Sequence, residues 1–238
     1  RKNSAANAIG TGATAGVDLG DRFTQICLLD AAGSVVLERR LPTRKEAFER
    51  FFRALPALRV ALEAGTHSPW IARVITALGH EVLVANPRRL RSISGSVRKS
   101  DRVDAEQLAR LGRSDPRLLS PITHRSETAQ VDLALIHARD LLVRTRTALA
   151  HHVRCTLKSF GILAPKHSTE SFAKKMRPHV PRALVGALVP VIDQIEQLTA
   201  QIGDFDRKIE AVADERYQVV ARLSQIHGVG RLTALAYV

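Results

Sequence analysis

The chain has 238 residues, with Lys plus Arg at 36 against Asp plus Glu at 23, giving a formal net charge of +13 and a pI near 10.8. Such an excess favours a polyanionic partner, nucleic acid being the commonest and a membrane surface the weaker alternative. Only Cys27 and Cys155 are present, which excludes a disulfide framework or a Cys-rich zinc module and fits a reducing cytoplasm. No uninterrupted apolar run approaches the roughly 20 residues of a spanning helix, and no charged-then-apolar leader directs export. The chain opens on Arg1 and stops at Val238 in mid-pattern, as expected of a piece of a longer protein.

Residues 1–13, rich in Ala, Gly, Asn and Thr, read as a disordered lead-in. From Ala15 the pattern turns β: Gly16-Val17-Asp18-Leu19, then 23–29, a turn through Gly33, and 35–41, a meander of three strands. Thr43, with Glu46 three residues on, reads as a capping box for a helix through Leu55 whose apolar face is Ala47, Phe48, Phe51 and Phe52. Residues 58–63 form a fourth strand, 68–78 a second helix and 81–85 a fifth strand ended by Asn86-Pro87. Ser100 then precedes a helix from Asp101 to about Arg113. The order β-β-β-α-β-α-β-α predicts an α/β domain over 14–122 with a ribonuclease-H-like (RuvC-like) mixed sheet.

A helical region is expected over 123–222. One helix runs from Ser126 to about Phe160, with Leu135, Leu142 and Leu149 spaced by seven. A second carries Val191, Ile195, Leu198, Ile202, Phe205, Ile209 and Val212, a heptad pattern expected to form a coiled-coil, closed within the chain or between chains. The closing stretch 223–238, with Gly228 and Gly230 in Ile-His-Gly-Val-Gly, resembles the start of a helix-hairpin-helix unit, in which Gly-x-Gly lets backbone amides approach a phosphate. A plain helix-turn-helix connection is the alternative.

Four carboxylates carry the chemistry. Asp18 and Glu63 lie in apolar β-like runs, where an ionised carboxylate is costly to bury unless something positive meets it. Asp101 and Asp104 are three apart on a helix, hence on one face. Adjacent first and fourth strands would bring Asp18 beside Glu63, with the last helix laying its acidic face over that edge. Oxygen ligands so gathered suit hard cations, one or two Mg²⁺ or Mn²⁺ ions, and a pair held about 4 Å apart supports in-line displacement at phosphorus. The loop holding Arg88, Arg89, Arg91, Arg98 and Lys99 would lie beside them and grip a phosphate backbone. His151, His152 and Cys155 read as incidental surface residues, since a closed zinc site needs four ligands. With a single Trp70 and no aromatic stripe, base stacking is not the expected main mode of binding.

The Gly-Val-Asp-Leu-Gly strand, the Leu-Glu-Ala-Gly strand end, the Asn86-Pro87-Arg88 turn, the Lys99-Ser100-Asp101-Arg102-Val103-Asp104-Ala105 helix start, the long helical middle and the Gly-Val-Gly-Arg-Leu-Thr-Ala ending resemble the DEDD transposases of insertion sequences. The resemblance covers residues 15–238. It implies that Asp18, Glu63, Asp101 and Asp104 occupy the family's acidic tetrad, and that the chain serves DNA recombination through a RuvC-like domain. It also implies a coiled-coil that mediates homo-oligomeric assembly as a dimer or tetramer, a guide RNA encoded by the element, and a later domain with a nucleophilic serine. The expected partners are therefore DNA, a guide RNA and further copies of the chain, acting at the nucleoid in a bacterial cytoplasm, with no membrane.

Two enzymatic readings and one structural reading stand side by side here. Serine-assisted recombination and hydrolysis by a Holliday-junction-resolving nuclease both use the four acids; a basic coiled-coil scaffold would not. The Gly-x-Asp-x-Gly strand also opens the phosphate loop of actin-like and sugar-kinase ATPases, a fold that needs a duplicated domain with its own Gly-rich loop, and none follows. Alone, Asp101 could be the N-cap of the helix it precedes.

Overall fold

A computed structural model describes residues 12–89, 100–163, 165 and 167–238. The chain divides into two compact units, residues 1–125 and 126–238. Residues 1–11 of the expected lead-in 1–13 and the loop 90–99, with Arg91, Arg98 and Lys99, fall outside the described residues, whereas Ala13 is buried in the core, which corrects the lead-in's expected end.

The first unit is a five-stranded mixed sheet of β1 (Thr14–Leu19), β2 (Phe23–Leu29), β3 (Val35–Pro42), β4 (Arg59–Glu63) and β5 (Glu81–Ala85), in the order β3-β2-β1-β4-β5. The pairs β1/β2 and β2/β3 are antiparallel, while β1/β4 and β4/β5 are parallel. Three helices follow the strands: α1 (Lys45–Arg53), α2 (Ser68–Ala77) and α3 (Asp101–Ser114). This element order and mixed sheet are consistent with the ribonuclease-H-like expectation.

Side-chain alternation along β1 and β4 assigns the two faces. Ala15, Val17, Val60 and Leu62 point one way and are buried with Phe48, Phe52, Ile71 and Ile75 of α1 and α2. Gly16 and Ala61 point the other way, into α3, and the absence of a side chain at Gly16 decides how closely α3 docks. A Cβ at Gly16 would stand 1.9 Å from the Ala105 carbonyl oxygen and 2.4 Å from the Ala109 nitrogen, and one at Gly112 would stand 2.9 Å from the Ala61 Cβ. The helix backbone thus lies directly on the sheet, with Ala105 and Ala109 fully buried.

One local prediction fails for an instructive reason. Thr43 does not cap α1; its hydroxyl donates to the Gly20 carbonyl at 2.7 Å and pairs with the Thr24 hydroxyl at 2.9 Å. The N-cap position falls to Arg44, which makes no side-chain cap bond. Tying the β1–β2 turn to the end of β3 holds the Thr43 hydroxyl beside Gly20 and Thr24, so its oxygen does not accept from the first amides of α1 as a capping box requires.

The second unit is built on α4 (Glu127–Ser159), the short α5 (Phe172–Met176), α6 (Val185–Arg216), α7 (Gln218–Leu223) and α8 (Arg231–Tyr237). Helices α4 and α6 pack antiparallel, tied by Arg216 and Tyr217 to Asp132 (2.8 and 2.9 Å), Arg139 to Asp206 (2.8 Å), and Arg146 to Thr199 (3.3 Å). The apolar seam of α6 is Leu188, Ile192, Ile195, Leu198, Ile202, Ile209 and Ala213, all buried within this one chain. Of the two readings of the stripe, closed within the chain or between chains, this burial matches the first. Val191, Phe205 and Val212, expected on the seam, are only half-buried, and on α4 Leu135, Leu142 and Leu149 give way to Ile136, Ala150, Val153 and Leu157. A straight helix drifts off a strict seven-residue repeat, and the polar ties at Asp132, Arg139 and Arg146 occupy every seventh position of α4.

The helical stretch 182–216 is long enough for a membrane crossing, and its most apolar 18-residue window has mean hydropathy 1.2, although charged and polar residues interrupt it, as the sequence shows. Its apolar residues pack inside the helical unit, and its Asp193 and Glu196 pair with Arg177 at 2.6 and 2.7 Å. At the end of the chain, α7 and α8 are short helices joined by a turn in which Gly228 has φ +85.

Candidate active site

The acidic site is assembled by strand register and helix docking. Parallel pairing of β1 with β4 aligns Gly16 with Ala61 and Val17 with Leu62. The next step along both strands brings Asp18 alongside Glu63, on the face that α3 covers. Because Ala105 and Ala109 meet Gly16 while Gly112 meets Ala61 and Thr14, α3 runs back along the strands with its N-terminus over the Asp18 end. Ser100, not Asp101, caps α3: its hydroxyl accepts from the Val103 amide at 3.4 Å. Asp101 and Asp104 are therefore released from capping and sit in the first helical turn above Asp18 and Glu63.

Electrostatics register this convergence. The half-buried Asp18 carboxyl is pushed up to about 6, first by desolvation and then by the charges of Asp101, Asp104 and Glu63. Among the described residues, none of the four carboxylates has a hydrogen-bond donor or a cation as partner. Hard oxygen donors crowded together without a counter-charge are the chemistry that a divalent metal ion satisfies. Their spacing is open, however: among the described residues no three His, Cys, Asp or Glu side chains are gathered tightly enough to hold an ion. The donor chemistry fits a metal; the spacing alone does not form a closed ligand set.

Beside the acids, the β4–α2 connection forms a polar shoulder that periodicity does not reveal. Ser68 is fully buried; its hydroxyl donates to the Gly65 carbonyl at 2.8 Å and accepts from the Gly65 amide at 2.9 Å. His124 Nε2 lies 2.9 Å from the same oxygen, so with that hydroxyl proton committed the imidazole is the donor. Burial, then Arg73, lowers the His124 pKa, in keeping with a neutral ring. His67 Nε2 stands 3.3 Å from Asp21 and its Nδ1 accepts from the Trp70 indole at 3.3 Å, clipping the loop after β1 to the loop after β4. The sequence signal for these contacts was the short polar run Thr66-His67-Ser68 that follows Ala64-Gly65.

The basic residues divide. Arg88 and Arg89 are exposed just beyond the end of β5, and the Asn86 side chain and carbonyl accept from their amides at 3.0 and 3.1 Å. Since β4 pairs Glu63 with Ala85, these arginines lie at the same edge of the sheet as the acids. Gly228 and Gly230 belong to the helical unit, exposed and with open space around each Cα. Cys155 Sγ contacts His151 Nε2 at 3.3 Å. Cys27 is a buried thiol pushed up to about 11, chiefly by desolvation, and is chemically inert.

A protein-family model described as a transposase, for DEDD enzymes of the IS110 type, matches residues 15–162, more than half of the chain. The chain belongs to this transposase family. It is similar to the "Probable family 20 transposase" of Pseudomonas aeruginosa, 30% identical over 231 residues, 93% of this chain and 66% of that protein. It is also similar to the transposase for insertion sequence element IS1328 of Yersinia enterocolitica, 30% identical over 92% of this chain and 65% of that protein. The transposase for IS1111A of Coxiella burnetii is 27% identical over 93% of this chain and 61% of that protein. The chain thus spans just under two thirds of the length of these transposases.

Proposed function

We propose that this chain carries the catalytic acids of an insertion-sequence transposase that cuts and exchanges DNA strands with divalent metal ions. The observation that carries the reading is the meeting of Asp18, Glu63, Asp101 and Asp104 at one sheet edge, with no compensating cation among the described residues. In this reading all four carboxylates would hold one or two Mg²⁺ or Mn²⁺ ions. A bound ion supplies charge neutralisation at the phosphate under attack and lowers the barrier to displacement. The protein's own groups do the rest: the carboxylates repel phosphate until their charge is neutralised, and Arg88 and Arg89 at the adjoining strand end orient the backbone. The polar shoulder of Ser68, His124 and His67 keeps the two loops at a fixed separation.

The partners in this reading are DNA, an element-encoded guide RNA and further copies of the chain. Assembly would use a surface other than the α6 seam, which is occupied within the chain. The test is strand cleavage by the full-length protein with its element ends, in Mg²⁺ and in EDTA. Asp18→Asn and Asp104→Asn should each abolish cleavage while retaining nucleic-acid binding; undiminished cleavage in either would overturn the reading. Exchanged rather than hydrolysed products would support transposition over a junction-resolving nuclease.

A further inference from the structure

A second feature of the first unit lies in the layer opposite the acids. The outer strand β3 and helix α1 enclose a groove of about 640 Å³. Its floor is apolar, made by Leu37, Leu41, Phe51 and Leu55, and its walls carry Arg39, Arg44 and Arg50. All three arginines are exposed, and Arg53 extends the same rim along α1. Arg40 borders the groove, but its register with Gln25 and Asp18 turns its side chain to the other face of the sheet, where it stacks over the Phe23 ring at 4.1 Å. Among the described residues none of Arg39, Arg44, Arg50 and Arg53 has a carboxylate partner, although Glu46 and Glu49 are close by; Glu49 pairs instead with Lys45 at 3.9 Å. Elsewhere in this unit arginines are used structurally: Arg59 with Glu81, Arg102 with Glu38, Arg110 with Glu106 and Arg117 with Asp115.

We infer that this groove binds single-stranded nucleic acid, separately from the strand presented to the acids. Unpaired guanidinium groups along a rim match a run of phosphates. An apolar floor of this size accepts base faces, being within the range of about 300–1,000 Å³ typical of pockets for flat small ligands. Among the described residues the outer backbone of β3 has no strand partner on that side and offers amides and carbonyls to base edges. A duplex, with its bases stacked inside, could touch the rim but not the floor. Arginines on an outer strand also guard it against edge-to-edge pairing, and that alternative predicts no strand-specific loss on their removal.

The test uses the full chain with fluorescein-labelled 12-mers of oligo(dT) and oligo(rU) and a 12-base-pair duplex, read by anisotropy across a salt series. Replacing Arg39, Arg44 and Arg50 by Ala should weaken single-strand binding at least tenfold and flatten its salt slope by about 2, since each phosphate contact to a single strand contributes about 0.7. Duplex affinity should change by less than about threefold. Lys at the same three positions should restore most of the affinity, which separates charge from misfolding, and thermal melting checks the fold. Replacing exposed Lys158, Arg182 and Arg222 by Ala gives an equal charge change elsewhere. Equal losses for strand and duplex, equal losses in this reference variant, or no loss at all would overturn the proposal. The oligo(dT) and oligo(rU) arms decide between DNA and RNA as the source. Repeating the series in Asp18→Asn keeps a failure here distinct from a failure of the metal-site reading.

Discussion

At the residue scale, Asp18 makes a prediction with a definite sign. Its carboxyl is raised to about 6 against an ordinary value of 3.8, so folding without metal is opposed by the charged form. That opposition is complete above about pH 6 and vanishes as pH falls through 3.8, where both states hold the proton. In EDTA, Asp18→Asn should therefore raise the melting temperature at pH 7 to 8, with the gain over wild type shrinking between pH 6 and 4. A gain that persists unchanged at pH 4 would rule out charge crowding as its cause. His80 contributes with the opposite sign: buried and lowered, it accepts from the Leu58 amide at 3.3 Å and donates to the Phe52 carbonyl at 3.1 Å. Its contribution is present above pH 6.5 and is lost below it, so the wild-type and Asp18→Asn curves must be compared at each pH. The convergence of the four acids on one end of the sheet was legible from the strand order and the three-residue spacing on α3, while their role belongs to the proposed function. His67, Ser68 and His124 were not, because their contacts join loops, where no periodicity marks which side chains meet.

At the element scale, the close approach of α3 to β1 holds the site together. Gly16→Ala would drive a methyl group into the Ala105 carbonyl and Ala109 nitrogen, so α3 must lift from the sheet and carry Asp101 and Asp104 away from Asp18. The expected cost is about 1–3 kcal/mol or more by thermal or urea unfolding, together with a fall of the Asp18 pKa toward its ordinary value as its acidic neighbours retreat. Gly65→Ala, with nothing within 4 Å of the added Cβ, should change stability by less than about 0.5 kcal/mol. Strands and helices of this unit were legible because alternation and 3.6-residue periodicity reflect burial directly. The capping box was misread because the Thr43 side chain is held toward Gly20 and Thr24, partners brought near only by the fold.

In the helical unit, the apolar period was readable but its partner was not: a heptad stripe looks the same whether it closes on its own chain or on another. With Ile195 fully buried against that chain, Ile195→Ala should cost about 2–5 kcal/mol in unfolding stability. A shift in sedimentation coefficient without loss of stability would return the seam to an interchain role. Arg146 is 6% exposed, with its Nε unpartnered. Its other nitrogens reach Thr199 and the exposed Glu170 at 3.3 Å each, so Arg146→Met trades an unpartnered buried Nε against two long hydrogen bonds and should change stability by less than about 1.5 kcal/mol, as urea unfolding would show.

At the scale of the whole molecule, the proposed function asks a protein to attract a polyanion and yet present carboxylates to it. In that reading the net charge of +13 supplies the long-range attraction, while the acids, uncompensated among the described residues, repel phosphate locally unless a cation intervenes. The most direct measurement of that claim is Mn²⁺ binding followed by electron paramagnetic resonance, comparing the wild-type chain with Asp18→Asn/Asp104→Asn at pH 7.5. The account predicts that wild type removes free Mn²⁺ from solution and that the double variant loses this binding by at least tenfold. Equal Mn²⁺ affinity in the two proteins would contradict it.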